Sequence, residues 1–223
     1  MQRSATVFLV WFSAFAMASA ADFWTVKPYT AWTEKEARTV MEDSPWAALV
    51  SAALPPAGPV PTVDAVGGRG GGGGGGRGDD FGAGPRRVRV TISWRSSLAI
   101  KQAITRAQMG SGSTPPPEAE AFLSREELFY VVGLEGIPSQ YARPGSGTTV
   151  ESFLRRNGKP PIPAQQAGAQ PGRGPATLLI AFPRTDAITL EDGEVEFTAK
   201  WGVFEVKKKF KLKDMVFEGK LSL

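Results

Sequence analysis

The clearest pattern along this chain is an alternation of apolar and polar residues that predicts β-strands. From Val88 to Trp94 the apolar residues recur at every second position, as expected of a strand with one buried face. A continuous apolar run at Leu128–Leu134 indicates a strand buried on both faces. The predicted strands are Val88–Trp94, Leu128–Leu134, Thr177–Phe182, Ala187–Leu190, Glu194–Lys200, Phe204–Leu212 and Met215–Leu221.

Turn residues between the C-terminal strands predict an antiparallel arrangement. Asp192-Gly193 lies between two alternating runs, which is a strong signal of a β-hairpin. Gly202 and Lys213-Asp214 are predicted to turn the chain twice more. We therefore expect a predominantly antiparallel structure, either a twisted sheet or a small sandwich.

Two or three short helices are predicted beside this sheet, so the fold class is α+β. Thr33-Glu34-Lys35-Glu36 matches the capping-box pattern, in which the first and last residues satisfy each other's amides. Ser96 or Ser97 is placed to cap a second helix. The predicted helical segments are Glu34–Met41, the residues from Ser97 to about Gln108, and Glu118–Leu123.

Gly- and Pro-rich stretches divide the chain into segments. Residues 53–86 include seven consecutive glycines and are predicted to form a disordered linker, because glycine loses much backbone entropy on ordering. A second flexible insert is predicted at 144–175, in which Val150–Arg156 is expected to form one or two helical turns. The N-terminal helical segment, 21–52, is expected to dock through its tryptophans onto a β-rich domain, 87–223.

Residues 1–20 have the features of a secretory signal peptide. Arg3 precedes an apolar run that ends at Met17, and Ala18-Ser19-Ala20 supplies the small residues that signal peptidase requires. The apolar run is shorter than the roughly 20 residues of a membrane-spanning helix. We therefore predict an exported protein, periplasmic or extracellular, with no transmembrane segment after signal cleavage.

The composition excludes several classes of active site. The chain has no histidine and no cysteine, so it cannot form a Ser-His-Asp triad, a cysteine nucleophile or a conventional zinc site. No catalytic residue, cofactor or metal site is predicted. Pairs of carboxylates remain as a possible acid and base. The adjacent acidic pairs are Asp79-Asp80, Glu126-Glu127 and Glu191-Asp192, and each is interpreted as solvated residues at an element boundary.

A cluster of lysines near the C-terminus is the candidate functional feature. Strand alternation places Lys207, Lys209, Lys211 and Lys213 on the solvent side and Lys208 on the apolar side. These lysines either protect a strand edge or form a patch for an anionic surface, such as phosphate-bearing glycans or lipid headgroups. No aromatic residue interleaves them on that side, so nucleic acid is not an expected partner. The glutamates expected to neutralise part of the charge are Glu196, Glu205 and Glu218.

Three strings in the chain together resemble a known group of sequences. They are Phe23-Trp24 followed by Lys27-Pro28-Tyr29, Trp32-Thr33, Lys35-Glu36 and Asp43-Ser44-Pro45-Trp46; then Trp94 with Ser96-Ser97 and Ala103; and Lys209–Met215. These strings are similar to uncharacterised secreted proteins of the acidobacterial kind, some grouped near GWxTD-domain proteins, although the GWxTD string itself is absent. The resemblance implies an exported protein and no particular activity.

Two functional hypotheses follow from these observations. The first is a non-enzymatic interaction or structural module of the cell envelope or extracellular space, which binds another protein or an anionic surface through its β-face. The second is a histidine-free carbohydrate-active enzyme that uses paired carboxylates. The first predicts a flat surface with aligned lysines, whereas the second requires a cleft with two facing carboxylates and aromatic walls.

Overall fold

The computed structural model describes residues 23–53, 87–109, 114–137, 150–170, 176–201 and 204–223. The predicted signal peptide and nearly all of the predicted glycine-rich linker lie outside these residues. Two larger antiparallel sheets, a two-stranded hairpin and four short helices make up most of the described part, which is the α+β, predominantly antiparallel class that the sequence predicts.

The first sheet has five strands in the order β1-β2-β3-β7-β6. All its neighbouring strands are antiparallel. Its central strands include the apolar runs that the sequence identified, and those strands are confirmed, except that Leu128 lies outside β3 and is exposed. The bounds are Ala47–Ala53 for β1, Arg87–Trp94 for β2, Phe129–Ile137 for β3, Gln166–Gln170 for β6 and Ala176–Pro183 for β7.

The second sheet has four strands in the order β5-β4-β8-β9. Strands β8 and β9 pair antiparallel, as expected of the two predicted strands on either side of Gly202. Strand β9 is an edge strand that lies beside β1 of the first sheet. The bounds are Val150–Arg156 for β4, Ile162–Pro163 for β5, Glu194–Trp201 for β8 and Phe204–Lys211 for β9.

The apolar core lies between the two sheets and holds them together. Phe182 of the first sheet meets Phe197 of the second edge to face, with ring centroids 6.2 Å apart. Trp94 meets Phe210 in the same way at 5.7 Å. Edge-to-face pairs of this kind add to the burial of large apolar surfaces. The described part is therefore a small sandwich.

Four helices pack beside the sheets: α1 (Phe23–Val26), α2 (Glu34–Glu42), α3 (Leu98–Met109) and α4 (Pro117–Ser124). The capping box of α2 is present, because the Thr33 hydroxyl accepts from the Glu36 amide and the Glu36 carboxylate accepts from the Thr33 amide. Helix α2 packs against α3, β1 and β2. None of the helices in the described ranges is long and apolar enough to cross a bilayer.

The N-terminal segment docks through its tryptophans, as predicted. Trp24, Trp32 and Trp46 are all buried. The segment also contributes β1, which pairs with β2 along its full length and was not predicted. Its alanine-rich sequence explains the omission, since alanine has little preference for strands. The segment is therefore part of the sandwich and not only a helix placed against it.

The N-terminus of α3 is capped by a residue distant in sequence. The Ser222 hydroxyl accepts a hydrogen bond from the Leu98 amide at 2.9 Å and lies 3.1 Å from the Ser97 hydroxyl. The Ser96 hydroxyl accepts from the Val131 amide of β3. The predicted helix is confirmed, but its amide cap comes from Ser222 and not from Ser96 or Ser97.

Replacing Ser222 by alanine is expected to lower the free energy of unfolding by about 1 kcal/mol, the usual contribution of a helix cap. Denaturant unfolding of the two proteins measures the difference. Ser51→Ala is the control, because Ser51 is exposed on β1 and caps no helix. Equal effects of the two substitutions would contradict the cap assignment.

The prediction of helical turns at Val150–Arg156 is wrong, because this segment is strand β4 and all seven of its residues pair with β8. Ser152, Leu154 and Arg156 point inwards, while Phe153 and Arg155 lie on the outer side. Because Arg156 points inwards and Phe153 outwards, the sequence lacks the regular alternation of apolar and polar residues that would indicate a strand. The flexible insert predicted at 144–175 is also wrong for residues 150–170, which include β4, β5 and β6.

The hairpin predicted around Asp192-Gly193 does not form. Ala187 to Thr189 are not a strand, and Leu190–Asp192 is a turn of 3-10 helix that leads into β8. Asp192 is buried, and its carboxylate accepts from the Thr189 amide at 2.9 Å. Gly193 adopts a φ of 68°, which glycine tolerates best.

The last predicted strand, Met215–Leu221, is also wrong as a single element. A 3-10 turn occupies Leu212–Met215 and is followed by the hairpin of β10 (Val216–Phe217) and β11 (Lys220–Leu221). Glu218 and Gly219 form its tight turn with φ values of 49° and 76°. A two-residue turn with both φ values positive suits the twist of a short hairpin.

Candidate functional site

Three of the four predicted site lysines lie in a row on the outer face of the second sheet. Lys207, Lys209 and Lys211 are exposed, and they alternate with buried Val206 and Phe210 on the inner face. Strand β9 ends at Lys211, so the alternation does not extend further. Lys213 is exposed on the 3-10 turn that follows. The structure thus brings the first three lysines together and places the fourth just beyond them.

Lys208 lies on the inner side, as predicted, and the edge position of β9 makes this possible. It is half-buried and stands opposite Phe197 in the register with β8. Its amino group is 6.0 Å from the ring centre of Phe210. The aliphatic stem of a lysine covers apolar surface while its charged end reaches outwards at an edge.

Glutamates neutralise the first half of the row. Lys207 pairs with Glu205 at 2.8 Å, and Lys209 pairs with Glu194 at 2.6 Å. The hydrogen bond from Lys207 holds the pKa of Glu205 below its ordinary value, and the same bond raises the pKa of Lys207. A hydrogen bond to Glu194 likewise raises the pKa of Lys209. These two lysines are therefore already engaged within the protein.

Glu205 neutralises part of the charge, as predicted from the sequence, but it does so within β9 and not by the expected pairing across strands. Within the described part of the chain, the other two predicted glutamates do not pair with the lysines of the row. Glu196 stands directly opposite Lys209 in the sheet, but the amino group of Lys209 bonds Glu194. Glu218 belongs to the β10–β11 hairpin and accepts a hydrogen bond from Gln102 of α3. Diagonal neighbours across two antiparallel strands are within reach of long side chains, which explains the choice of Glu194.

Lys211 and Lys213 form the unneutralised end of the row. Within the described residues neither has a carboxylate oxygen within the 4 Å of an ion pair, although Glu194 is the register partner of Lys211. Both side chains are exposed. The positive charge available to a partner is therefore concentrated at the end of β9.

A shallow depression of about 310 Å³ lies on the same face, beside Lys207. Its lining alternates in charge, and Thr198 lies nearly buried among the charged side chains. Among the described side chains of the lining, Phe153 has the only aromatic ring, and the guanidinium of Arg155 lies 5.3 Å from its centre. The charged residues of the lining are Glu151, Arg155, Glu196, Lys200, Glu205 and Lys207.

A buried arginine that the sequence analysis missed lies at the inner end of β4. The Arg156 side chain is fully buried and donates to Asp186, while Asp192 lies 3.9 Å from it and pairs with Lys159 at 2.7 Å. The bond to Asp186 raises the pKa of Arg156 and lowers that of Asp186. Burial opposes ionisation of Asp192, but bonds from Lys159 and Thr189 outweigh it and lower its pKa.

This cluster corrects the interpretation of Glu191-Asp192 as solvated residues, since Asp192 is only 8% exposed. The cluster also holds neighbouring segments together, because the Arg156 guanidinium donates hydrogen bonds to main-chain carbonyl groups of these segments. Both carboxylates have lowered pKa values and stay ionised at neutral pH. A glycosidase acid needs the opposite shift. The carbonyl acceptors are those of Pro160, Asp186 and Ala187.

A second unpredicted charged group lies where α3 meets the segment before β3. Lys101 is 3% exposed and donates to the Arg125 carbonyl oxygen and to Glu127, both at 3.1 Å. Arg125 binds the same carboxylate. A depression of about 320 Å³ opens beside these residues. Because Glu127 serves two cations, it is a structural partner and not the solvated residue that the sequence suggested.

The described residues contain no group of acidic side chains arranged to hold a metal ion. Comparison with family models, with curated proteins and with solved structures finds no match to this chain. The resemblance to secreted acidobacterial-type proteins therefore stays a prediction, as does export.

Proposed function

We propose that this chain is an exported, non-enzymatic interaction module that binds an anionic surface through the outer face of its second sheet. The observation that carries the proposal is the row of exposed lysines on β9, which ends at Lys211, with Lys213 just beyond it on the 3-10 turn. Among the described residues, neither Lys211 nor Lys213 pairs with a carboxylate. Adjacent positive side chains on a rigid strand attract phosphate or carboxylate groups and need no deep pocket.

The arrangement of charge supports contact at one end of the face. Near the depression, cations and glutamates alternate and largely cancel. Among the residues that the structure describes, no carboxylate pairs with Lys211 or Lys213, so an anionic surface gains most there. The salt bridges at Lys207 and Lys209 lie in solvent, where they are weak, and these lysines are able to exchange partners at a highly charged surface.

The carbohydrate-active alternative has less support from the described residues. Among the described side chains that line the depression on the sheet, Phe153 is the one aromatic residue, and the carboxylates are interleaved with cations. Where the pKa of a carboxyl group departs from its ordinary value, at Glu36, Asp186, Asp192 and Glu205, it is lowered. None of these four groups has the raised pKa of a general acid.

The test measures binding of the chain from Ala21 onwards to vesicles with and without anionic phospholipid. We expect binding to the anionic vesicles that weakens as salt rises. Each lysine near such a surface contributes about 1 kcal/mol, so Lys211→Glu with Lys213→Glu should reduce the affinity by about 30-fold or more. Sedimentation of the vesicles with the protein measures this.

The control makes the same change of charge at exposed residues away from the face, Lys35→Glu with Arg87→Glu. It should alter binding far less than the β9 variant. Equal losses would show a general charge effect and reject the proposed face. Absence of binding to the anionic vesicles at low salt would reject the lipid surface, and release of reducing sugar from a neutral polysaccharide would favour the enzyme.

A further inference from the structure

Strand β6 is an exposed, uncharged edge of the first sheet. Its five residues pair with β7 on one side, and among the described residues no strand pairs with its other side. Gln166, Ala167, Gly168 and Gln170 are exposed, and Ala169 is half-buried. Such an edge presents a row of main-chain donors and acceptors to any strand that approaches it.

The other edges of the two larger sheets, as far as the structure describes them, carry the protection that β6 lacks. Strand β9 has lysines along its length and lies beside β1, so these two edges shield each other. Strand β5 is only two residues long and ends in Pro163, which has no amide hydrogen to donate. Charge, proline and short length are the usual means of blocking edge pairing.

The sequence of β6 is the same in both directions. It reads Gln-Ala-Gly-Ala-Gln from Gln166 to Gln170, with Gly168 at its centre. Two copies of this strand placed antiparallel about a two-fold axis through Gly168 therefore set glutamine opposite glutamine and alanine opposite alanine. Glutamine side chains donate and accept with each other, and there is no like charge to oppose the contact.

The main-chain pattern also suits this register. In this register each residue faces the residue of the other copy that is equally far from Gly168 in the opposite direction, so Gln166 faces Gln170. The two residues of each pair are therefore an even number of positions apart in the sequence, and their main-chain groups point to the same side of the strand. The main-chain N–H and C=O groups that point away from β7 on one copy then meet the corresponding groups that point away from β7 on the other copy. The hydrogen bonds of an antiparallel ladder form without a shift, whichever set of residues points outwards.

We propose that two copies of this chain associate through antiparallel pairing of β6, which joins two five-stranded sheets into one continuous sheet. The interface is isologous, since the same strand serves both partners. Five residues on each side bury less than a standard interface, so the dimer is expected to be weak and to form at high protein concentration. This contact lies apart from β9 and is independent of the proposed anionic surface.

A cysteine at Gly168 tests the contact directly. A side-chain Cβ at this position meets no atom of the described residues within 4 Å, so the substitution is compatible with the fold. Directly opposite residues of antiparallel strands have Cα atoms about 4.5–5.5 Å apart, within the range of a disulfide. The natural chain has no cysteine, so any disulfide in Gly168→Cys joins two copies.

Matched variants on the same strand test the register. Ala167→Cys alone should cross-link slowly, because its counterpart on the partner is a diagonal neighbour roughly 8 Å away. A mixture of Ala167→Cys and Ala169→Cys should cross-link between the two variants, because these positions face each other. We expect Gly168→Cys to form the disulfide at least about tenfold faster than Ala167→Cys under mild oxidation.

Analytical ultracentrifugation of the cysteine-free chain provides a second measurement. We expect a concentration-dependent dimer, and Gly168→Lys should raise its dissociation constant by at least about tenfold by placing like charges opposite each other. The thermal unfolding temperature should change little, since the new side chain enters open space. A monomer at every concentration, or equal cross-linking at Gly168 and Ala167, would overturn the proposal.

Discussion

Replacing Arg156 by methionine is expected to lower the free energy of unfolding by about 3–5 kcal/mol, the cost of removing one partner from a buried ion pair. Methionine keeps much of the volume but leaves Asp192 buried with Lys159 as its remaining cation. It also frees carbonyl groups that accept from the guanidinium, among them that of Pro160. Denaturant unfolding at neutral pH measures the loss.

Arg155→Met is the matched control, since the neighbouring arginine on β4 lies exposed on the outer face. Its effect should stay within about 0.5 kcal/mol, as for most surface substitutions. Similar losses at the two positions would contradict the assignment of Arg156 as the central cation of the cluster.

The effect of Arg156→Met should also depend on pH. Asp186 and Asp192 have lowered pKa values in the folded protein. Their contribution to stability is present above the unfolded pKa of about 3.9 and is lost as the pH falls through the lower folded values. The difference between the natural protein and the variant should therefore shrink below about pH 4. A difference that stays constant across this range would exclude the ionised carboxylates as its cause.

Replacing Trp46 by alanine is expected to destabilise the fold by a similar amount, about 3–5 kcal/mol, because it removes a large, fully buried side chain. The ring meets Trp24 at 6.0 Å and Phe217 at 5.6 Å, edge to face in both cases. Its indole nitrogen donates to the Ser222 carbonyl oxygen at 2.9 Å. This residue therefore joins the N-terminal segment to the C-terminal hairpin.

Leu49→Ala is the control for Trp46, since Leu49 belongs to the same segment and is 54% exposed. Thermal or denaturant unfolding should show a small change for Leu49 and a large one for Trp46. Trp46→Phe should lie between them, because it keeps an aromatic ring and loses the hydrogen bond. If Trp46→Ala were as mild as Leu49→Ala, Trp46 would not be the residue that joins the N-terminal segment to the C-terminal hairpin.

Elements whose signals lie within a few residues were predicted well. The capping box at Thr33 and Glu36 is satisfied by local hydrogen bonds, and α2 begins where the sequence places it. Strand β2 alternates between more exposed and more buried residues from Arg87 to Ile92, and β9 does the same between Val206 and Phe210. In each case the residues themselves specify the period of the element.

Elements whose form depends on distant partners were not predicted. Strand β4 has Arg156 inside and Phe153 outside, and pairing with β8 decides its conformation. Asp192 is part of a local hairpin signal, yet Lys159 and Arg156 bind its carboxylate and a 3-10 turn forms. Strand β6 has a composition typical of a loose segment and is ordered by β7.

In the candidate site, too, some features follow from local sequence and others depend on residues far apart in the chain. Strand alternation in the sequence determined that Lys207, Lys209 and Lys211 share one exposed face, because side-chain direction follows from local geometry. Only the tertiary structure decided which of them are neutralised, since Glu194 comes from the neighbouring strand. The sequence by itself thus determined the elements with local periodicity and the position of the lysines. The tertiary structure decided the buried ion pairs, the helix cap and the free edge, because each depends on groups far apart in the chain.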